Sequence, residues 1–179
     1  NKIYIMDFNR PIPLTLYIHL PWCIRKCPYC DFNSHVKENI DHQAFLNAYL
    51  TELDYFAKLL KGRQIKTIFF GGGTPSLMPI ELVDKILKKI SNLWAINQDC
   101  EISLEANPTS FEAIKFREFK NAGINRLSIG IQALNDADLK FLGREHSASE
   151  AIKTIQLVQK IFDNYSFDLI YARPNQTLN

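Results

Sequence analysis

The sequence predicts an α/β fold: five parallel strands with outer helices, an incomplete (β/α) partial TIM barrel. Three observations carry this. Strand-like and helix-like segments alternate along the 179 residues, the order that builds parallel βα units. Most strand-like segments are aliphatic on one face and polar on the other. The loops richest in Cys and Gly directly follow strands, where parallel barrels gather their working groups.

Residues 14–20 (LTLYIHL) read as the first strand, with Thr15, Tyr17 and His19 opposite Leu14, Leu16, Ile18 and Leu20. Residues 41–60 read as a helix, because Phe45, Leu46, Tyr49, Leu50, Leu53, Phe56 and Leu60 recur at helical spacing. Residues 65–70 (IKTIFF) form the next strand, which GGGTP breaks. Val83, Ile86, Leu87, Ile90 and Leu93 share one face of a helix over 79–94. Residues 100–106 (CEISLEA) are a strand ended by Asn107-Pro108. Thr109 and Glu112 predict a capping box for a helix over 110–122, with Gly123 at its end. A strand over 125–132 follows, and Asn135 caps a short helix near 136–142. Ser147 and Glu150 predict a second capping box, for a helix over 148–162. Residues 165–171 (YSFDLIY) are the fifth strand.

Parallel strands covered by helices are usually apolar on both faces. Here Glu101, Ser103 and Glu105 share one face, as do Arg126, Ser128, Gly130 and Gln132, and Ser166 and Asp168. Helices on the aliphatic side would leave these polar faces lining a shared interior suited to a polar ligand. Five strands do not close a barrel. The last should present an unpaired hydrophobic edge that further chain, or another subunit, covers.

Composition narrows the function classes. Lys and Arg number 21 and Asp and Glu 19, a net charge of +2 with four His neutral, too balanced to predict a nucleic-acid surface. No apolar run approaches the roughly 20 residues that span a bilayer, so no transmembrane segment is expected. The opening NKIYIM has no signal-peptide pattern, and a cytoplasmic protein is expected.

Three of the four cysteines fall within eight residues, Cys23-xxx-Cys27-xx-Cys30, directly after the first strand. Without a secretory signal, such clustering favours a metal centre over disulfides. Thiolates suit iron–sulfur clusters and zinc. A structural zinc site needs four protein ligands, which here would require His19 or His35. Three thiolates instead leave one iron of a 4Fe-4S cube open to an exogenous chelator. Cys100 is expected to be a packed thiol facing a helix. His19 and His35 are read as core or loop histidines. The run Gly71, Gly72, Gly73, Thr74, Pro75 matches no phosphate-binding pattern but permits close backbone approach to a ligand. Glu105, Gln132 and Arg144 carry weak individual signals. Asp168, inside the apolar FDLIY, needs a partner or a wet cavity.

Taken in order, CxxxCxxC with Tyr29 before its last Cys, then GGGTPS, EANP, GIQ and DLIY resemble the radical S-adenosylmethionine (SAM) superfamily. They look most like the group holding oxygen-independent coproporphyrinogen III dehydrogenase and its heme chaperone relatives. The resemblance covers roughly residues 14–178. It implies that residues 1–179 are the N-terminal part of a radical SAM core, that Cys23, Cys27 and Cys30 ligate a 4Fe-4S cluster, and that SAM chelates the fourth iron. It assigns SAM contacts to Tyr17, Tyr29, Gly72, Gly73, Thr74, Glu105, Gln132, Arg144 and Asp168. It implies reductive cleavage of SAM to methionine and a 5′-deoxyadenosyl radical. The dehydrogenases resemble CxxxCxxCxC, whereas Phe32 stands here at the last position, as in the heme chaperone branch. The chaperone reading implies heme as ligand and a haemoprotein acceptor. The alternative is oxidative decarboxylation of coproporphyrinogen III, with a porphyrinogen ligand. Either needs an electron donor such as a flavodoxin or ferredoxin. Relatives usually have Gly-Leu-Pro after DLIY, where this chain has Ala172-Arg173-Pro174.

Overall fold

The computed structural model describes residues 12–177. Its strands are β1 (Leu14–Leu20), β2 (Trp22–Cys23), β3 (His35–Val36), β4 (Gln64–Gly72), β5 (Ala95–Ala106), β6 (Arg126–Gln132) and β7 (Asn164–Leu169). Its α-helices are α1 (His42–Leu59), α2 (Ile80–Leu93), α3 (Ser110–Ala113), α4 (Phe116–Asn121), α5 (Asp136–Phe141) and α6 (Ala148–Ile161). Five strands form one sheet in the order β1-β4-β5-β6-β7, and every neighbouring pair is parallel. The predicted α/β class and five-stranded parallel sheet are observed; the two-residue strands β2 and β3, which pair in a separate sheet, are additional. No described helix is long and apolar enough to cross a membrane.

One face of the sheet carries the core. Leu14, Ile18 and Leu20 of β1, Ile65, Ile68 and Phe70 of β4, Leu104 of β5, and Leu127, Ile129 and Ile131 of β6 are buried. They share a cluster with Leu46 and Leu53 of α1, Val83, Ile86 and Ile90 of α2, Phe116 and Phe119 of α4, and Val158 and Ile161 of α6. Burying such a side chain contributes about 1.5–3 kcal/mol. Cys100 joins this core as a free thiol, and burial pushes its pKa up. The other face is polar. There Thr67 donates to Thr15, and Arg126 reaches Ser103 and Ser166.

Four boundaries differ from expectation. β4 runs on through Gly71 and Gly72, because both still pair with His19 and Leu20 of β1. β5 begins at Ala95, since its first residues pair with Gln64 and Ile65 before a bulge moves Thr67 opposite Glu101. Asn125 stitches that bulge, donating to the Cys100 carbonyl and accepting from the Ile102 N–H. The single helix expected over 110–122 is two, α3 and α4. Only half of its capping box forms: Thr109 Oγ1 accepts from the Glu112 N–H, while the Glu112 carboxylate turns away to Ser76 and Asn107. β7 stops at Leu169 rather than Tyr171.

The other caps match. Ser147 and Glu150 form the complete box, and Asn135 accepts from the Asp138 N–H. At the end of α4, Gly123 has φ +113°, and the N–H groups of Gly123 and Ile124 return to the carbonyls of Lys120 and Phe119.

β7 is the last strand of the sheet, the edge position expected for the fifth strand, and Phe167 and Leu169 on it are exposed. Beyond it, Ala172 has φ +56°, a conformation that strains any residue with a Cβ. Arg173 anchors the turn by pairing with Asp138 and donating to the Ile170 carbonyl. Ala172→Gly should therefore stabilise the protein by about 0.5–1 kcal/mol, relief of strain outweighing the added freedom of the unfolded chain. A urea midpoint that rises with an unchanged slope is the expected result; an unchanged or lowered midpoint would show that the turn is relaxed.

Candidate functional site

The cysteine loop leaves β1 through Pro21 and is closed at its base. There β2 and β3 pair Trp22 with His35 and Cys23 with Val36, and the His35 N–H donates to the Pro21 carbonyl at 2.7 Å. Inside the loop the Cys30 N–H donates to the Cys27 carbonyl at 3.0 Å. Lys26 Nζ donates to the carbonyls of Phe32 and Ser34. His19 fastens the far side, its Nε2 lying 2.9 Å from the Asn33 carbonyl. A carbonyl only accepts, so Nε2 carries the proton, leaving Nδ1 to accept from the Tyr17 hydroxyl at 3.4 Å. Both ring nitrogens of His19 are thus engaged, and His35 is exposed, which removes support from a Cys3His zinc centre. All three cysteines are free thiols, Cys23 buried and Cys27 and Cys30 half-buried. Among the described residues no three His, Cys, Asp or Glu groups gather around a single ion position. In a cube each thiolate takes its own iron, so convergence on one point is not required.

The glycine loop packs beneath. The Gly73 N–H donates to the Leu20 carbonyl at 2.6 Å and the Thr74 N–H to the Trp22 carbonyl at 2.9 Å. A Cβ on Gly73 would lie 2.4 Å from the Trp22 carbonyl oxygen and 3.0 Å from Cys23 Sγ. The Gly72 N–H donates to Glu105 Oε2 at 3.2 Å, tying the glycine loop to the end of β5.

Arg144 arrives from the other side. Helix α5 ends with Gly143 at φ +69°, and the N–H groups of Gly143 and Arg144 return to the carbonyls of Lys140 and Leu139. This cap aims the guanidinium at the cysteine loop. Nη1 donates to Cys27 Sγ at 3.5 Å and to the Tyr29 hydroxyl at 3.4 Å. Nη2 donates to Asn107 Oδ1 at 2.6 Å and to the Gly130 carbonyl at 2.8 Å. Nε is buried without a partner.

These parts enclose a cavity of about 350 Å³. Cys23, Cys27, Cys30, Tyr29, Gly73, Thr74, Glu105, Gln132, Arg144 and Asp168 all line it. Tyr17 and Gly72, singled out with them, stand one layer back. Gly72 touches the site through Glu105, and Tyr17 stacks on Phe69, ring centroids 5.9 Å apart. Gln132 sits at φ +71°, an uncommon conformation for a side-chain-bearing residue and of the kind found at functional sites. A second cavity of about 230 Å³ lies beside the first and shares Arg25, Cys27, Thr74, Asn107 and Arg144 with it.

Burial drives the Glu105 carboxyl above its ordinary pKa; the Gly72 N–H and His19 oppose this, and Asp168 adds to it. Burial pushes the Tyr29 hydroxyl up to about 12 despite Arg144 beside it. Burial also raises Glu112, against hydrogen bonds from Ser76 and Asn107, and lowers His146, whose Nε2 lies 3.0 Å from the Ile131 carbonyl. Asn107 and Gly130 are site residues without a strong signal of their own. Asn107 shows in the sequence only as the residue before Pro108.

The fit to a cluster rests on chemistry: three soft thiol donors on one short loop, an arginine N–H on one sulfur, and beside them a cavity lined by the carboxylates of Asp31, Glu105 and Asp168. Comparison with known proteins agrees. A profile of the radical SAM superfamily matches residues 17–179. The chain is 42% identical over 168 residues to heme chaperone HemW of Escherichia coli, covering 93% of this chain and 44% of that protein. Against heme chaperone HemW of Haemophilus influenzae it is 44% identical over 172 residues, covering 93% and 45%. The chain thus spans less than half the length of these curated relatives. Among solved structures, coproporphyrinogen III oxidase (HemN) from Escherichia coli, described as a radical SAM enzyme, superposes with a TM-score of 0.83 at 30% identity, over 92% of this chain and 38% of that one. Motif order, site geometry and profile agree: the chain belongs to the radical SAM superfamily.

Proposed function

We propose that these residues are the N-terminal, cluster- and SAM-binding part of a heme chaperone of the HemW type, acting in the cytoplasm. Superfamily membership implies SAM and a 4Fe-4S cluster in general. The observation that carries the finer reading is Phe32: it lines the cavity at the place where the dehydrogenases carry a further cysteine. Identity of 42–44% to HemW proteins against 30% to HemN supports the same branch.

In this reading Cys23, Cys27 and Cys30 hold the cluster. When bound, the cluster supplies one electron to the SAM sulfonium, chemistry that belongs to the cofactor. The protein positions and neutralises. Glu105 and Asp168 accept from the ammonium group or ribose hydroxyls. Gly73 and Thr74 bring backbone close to the ligand, and Gln132 offers an amide. Arg144 holds Cys27 and Tyr29 in place and presents positive charge to a carboxylate. Gly72 and Tyr17 act through Glu105 and the β1 end. Heme, an acceptor haemoprotein and a flavodoxin- or ferredoxin-like electron donor complete the proposal.

The test is anaerobic reconstitution of the full-length protein with iron and sulfide, followed by reductant, SAM and either heme or coproporphyrinogen III. Stable heme binding without porphyrinogen turnover is expected. Formation of protoporphyrinogen would replace the chaperone reading with the dehydrogenase one.

A further inference from the structure

Glu112 is nearly inaccessible, 2% exposed, yet it carries a carboxylate in the middle of a packed region. Its Oε2 accepts from Ser76 Oγ and, at 2.8 Å, from the Asn107 N–H; its Oε1 accepts from Asn107 Nδ2 at 3.3 Å. A carboxylate only accepts, so it dictates which way the Asn107 amide faces: Nδ2 toward Glu112, Oδ1 away. That outward Oδ1 receives Arg144 Nη2 at 2.6 Å, and the same guanidinium places Nη1 3.5 Å from Cys27 Sγ. One continuous hydrogen-bonded chain thus runs from a buried carboxylate to a thiol of the cysteine loop, and both ends fix its direction, since the carboxylate only accepts and the guanidinium only donates. Glu112 does not line the cavity shared by the three cysteines; it reaches only the neighbouring one.

We propose that Glu112 is a positioning residue for the cluster, acting through Asn107 and Arg144 on the Cys27 sulfur. The inference rests on the assignment of the three cysteines to a 4Fe-4S cluster. An N–H donor on a ligating sulfur stabilises the reduced cluster and raises its potential. Outer groups that orient such donors typically matter by 10- to 100-fold in affinity or activity.

Glu112→Gln keeps the shape but presents one oxygen and one NH2. It cannot accept from both Asn107 donors and Ser76. If the Asn107 amide turns to suit it, an NH2 faces Arg144, donor against donor, and Nη1 loses its hold on Cys27. The double variant Glu112→Gln with Asn107→Asp reverses this, because the introduced carboxylate accepts from the introduced amide at one oxygen and from Arg144 at the other. Asn107→Ala cuts the chain while leaving Glu112 its Ser76 and backbone partners.

The experiment uses the full-length protein reconstituted with iron and sulfide. It measures iron content, the midpoint potential of the cluster and SAM affinity. Glu112→Gln and Asn107→Ala should retain iron after reconstitution yet lower the potential and weaken SAM binding, and hold the metal about 10- to 100-fold less tightly against a chelator. The double variant should recover both. Should Glu112→Gln fail to fold, the double variant compared with Asn107→Asp alone decides: a potential recovered only in the double variant supports the inference, and no difference between the two overturns it. Wild-type potential and SAM affinity in Asn107→Ala, or a double variant no better than Glu112→Gln, overturns the inference. Wild-type protein that takes up no iron and sulfide overturns the cluster assignment, and the inference with it.

Discussion

Gly73→Ala should abolish cluster loading while leaving the sheet folded. The added methyl would lie 2.4 Å from the Trp22 carbonyl oxygen, 2.7 Å from the Trp22 carbonyl carbon and 3.0 Å from Cys23 Sγ. Two of these three are backbone atoms, which cannot rotate aside as a side-chain end would. The Trp22 carbonyl also receives the Thr74 N–H at 2.9 Å, so relief means breaking a contact that seats the cysteine loop on the glycine loop. Cys23, the buried member of the three, follows Trp22 directly and shifts with it. Overpacking of this kind costs about 1–3 kcal/mol. Gly62→Ala is the control. A Cβ there meets nothing within 4 Å, but the φ of +76° imposes a backbone strain of about 1–2 kcal/mol. The two variants should therefore lose comparable stability, while only Gly73→Ala loses iron and sulfide after reconstitution. Full loading of Gly73→Ala, or equal loss in both variants, would show that the close packing of the two loops is unrelated to the metal centre.

That contrast also shows which features the sequence makes legible. The alternation of Thr15, Tyr17 and His19 against Leu14, Ile18 and Leu20 depends only on neighbours along the chain, so it is readable and the structure matches it. The cysteine spacing is local in the same way. The capping boxes look identical in sequence but not in space. Ser147 and Glu150 close the full box; Glu112 has Asn107 and Ser76 within reach, and only the Thr109 half forms. Asn107 and Arg144 are 37 residues apart, and no local pattern announces that the amide is the arginine's acceptor. The strand boundaries slip for a related reason. Glycines that look like a break continue β4, because β1 supplies the hydrogen bonds they need. Asn107, the residue least readable from sequence, lines both cavities beside Cys27, Thr74 and Arg144, which the motifs do single out.

Glu105→Gln should produce opposite effects on stability and on SAM binding. Glu105 is buried enough that its carboxyl titrates above the usual range, with Asp168 adding to the shift and the Gly72 N–H and His19 opposing it. The folded-state pKa is thus raised over the unfolded one. For such a group the stabilising balance is complete below the unfolded pKa and is lost as pH rises through the folded one. Where Glu105 is ionised it is therefore a net cost to the apo protein. Glutamine removes that cost, and its oxygen can still accept from the Gly72 N–H, so thermal stability should hold or rise. In the proposed SAM site the same charge is an asset, because it accepts from an ammonium group or ribose hydroxyls. Losing a hydrogen bond to a charged group is worth about 1.5–3 kcal/mol, roughly 10- to 150-fold in affinity. Wild-type affinity for SAM should also weaken on acidification, beginning above the ordinary glutamate pKa, as Glu105 takes up its proton. In Glu105→Gln that part of the pH dependence should vanish. Calorimetric titration of SAM into the reconstituted full-length protein across the acid range, beside thermal melts of the apo form, reads both effects. A variant that melts lower and binds SAM as wild type would place the role of Glu105 in holding the glycine loop rather than in holding the ligand.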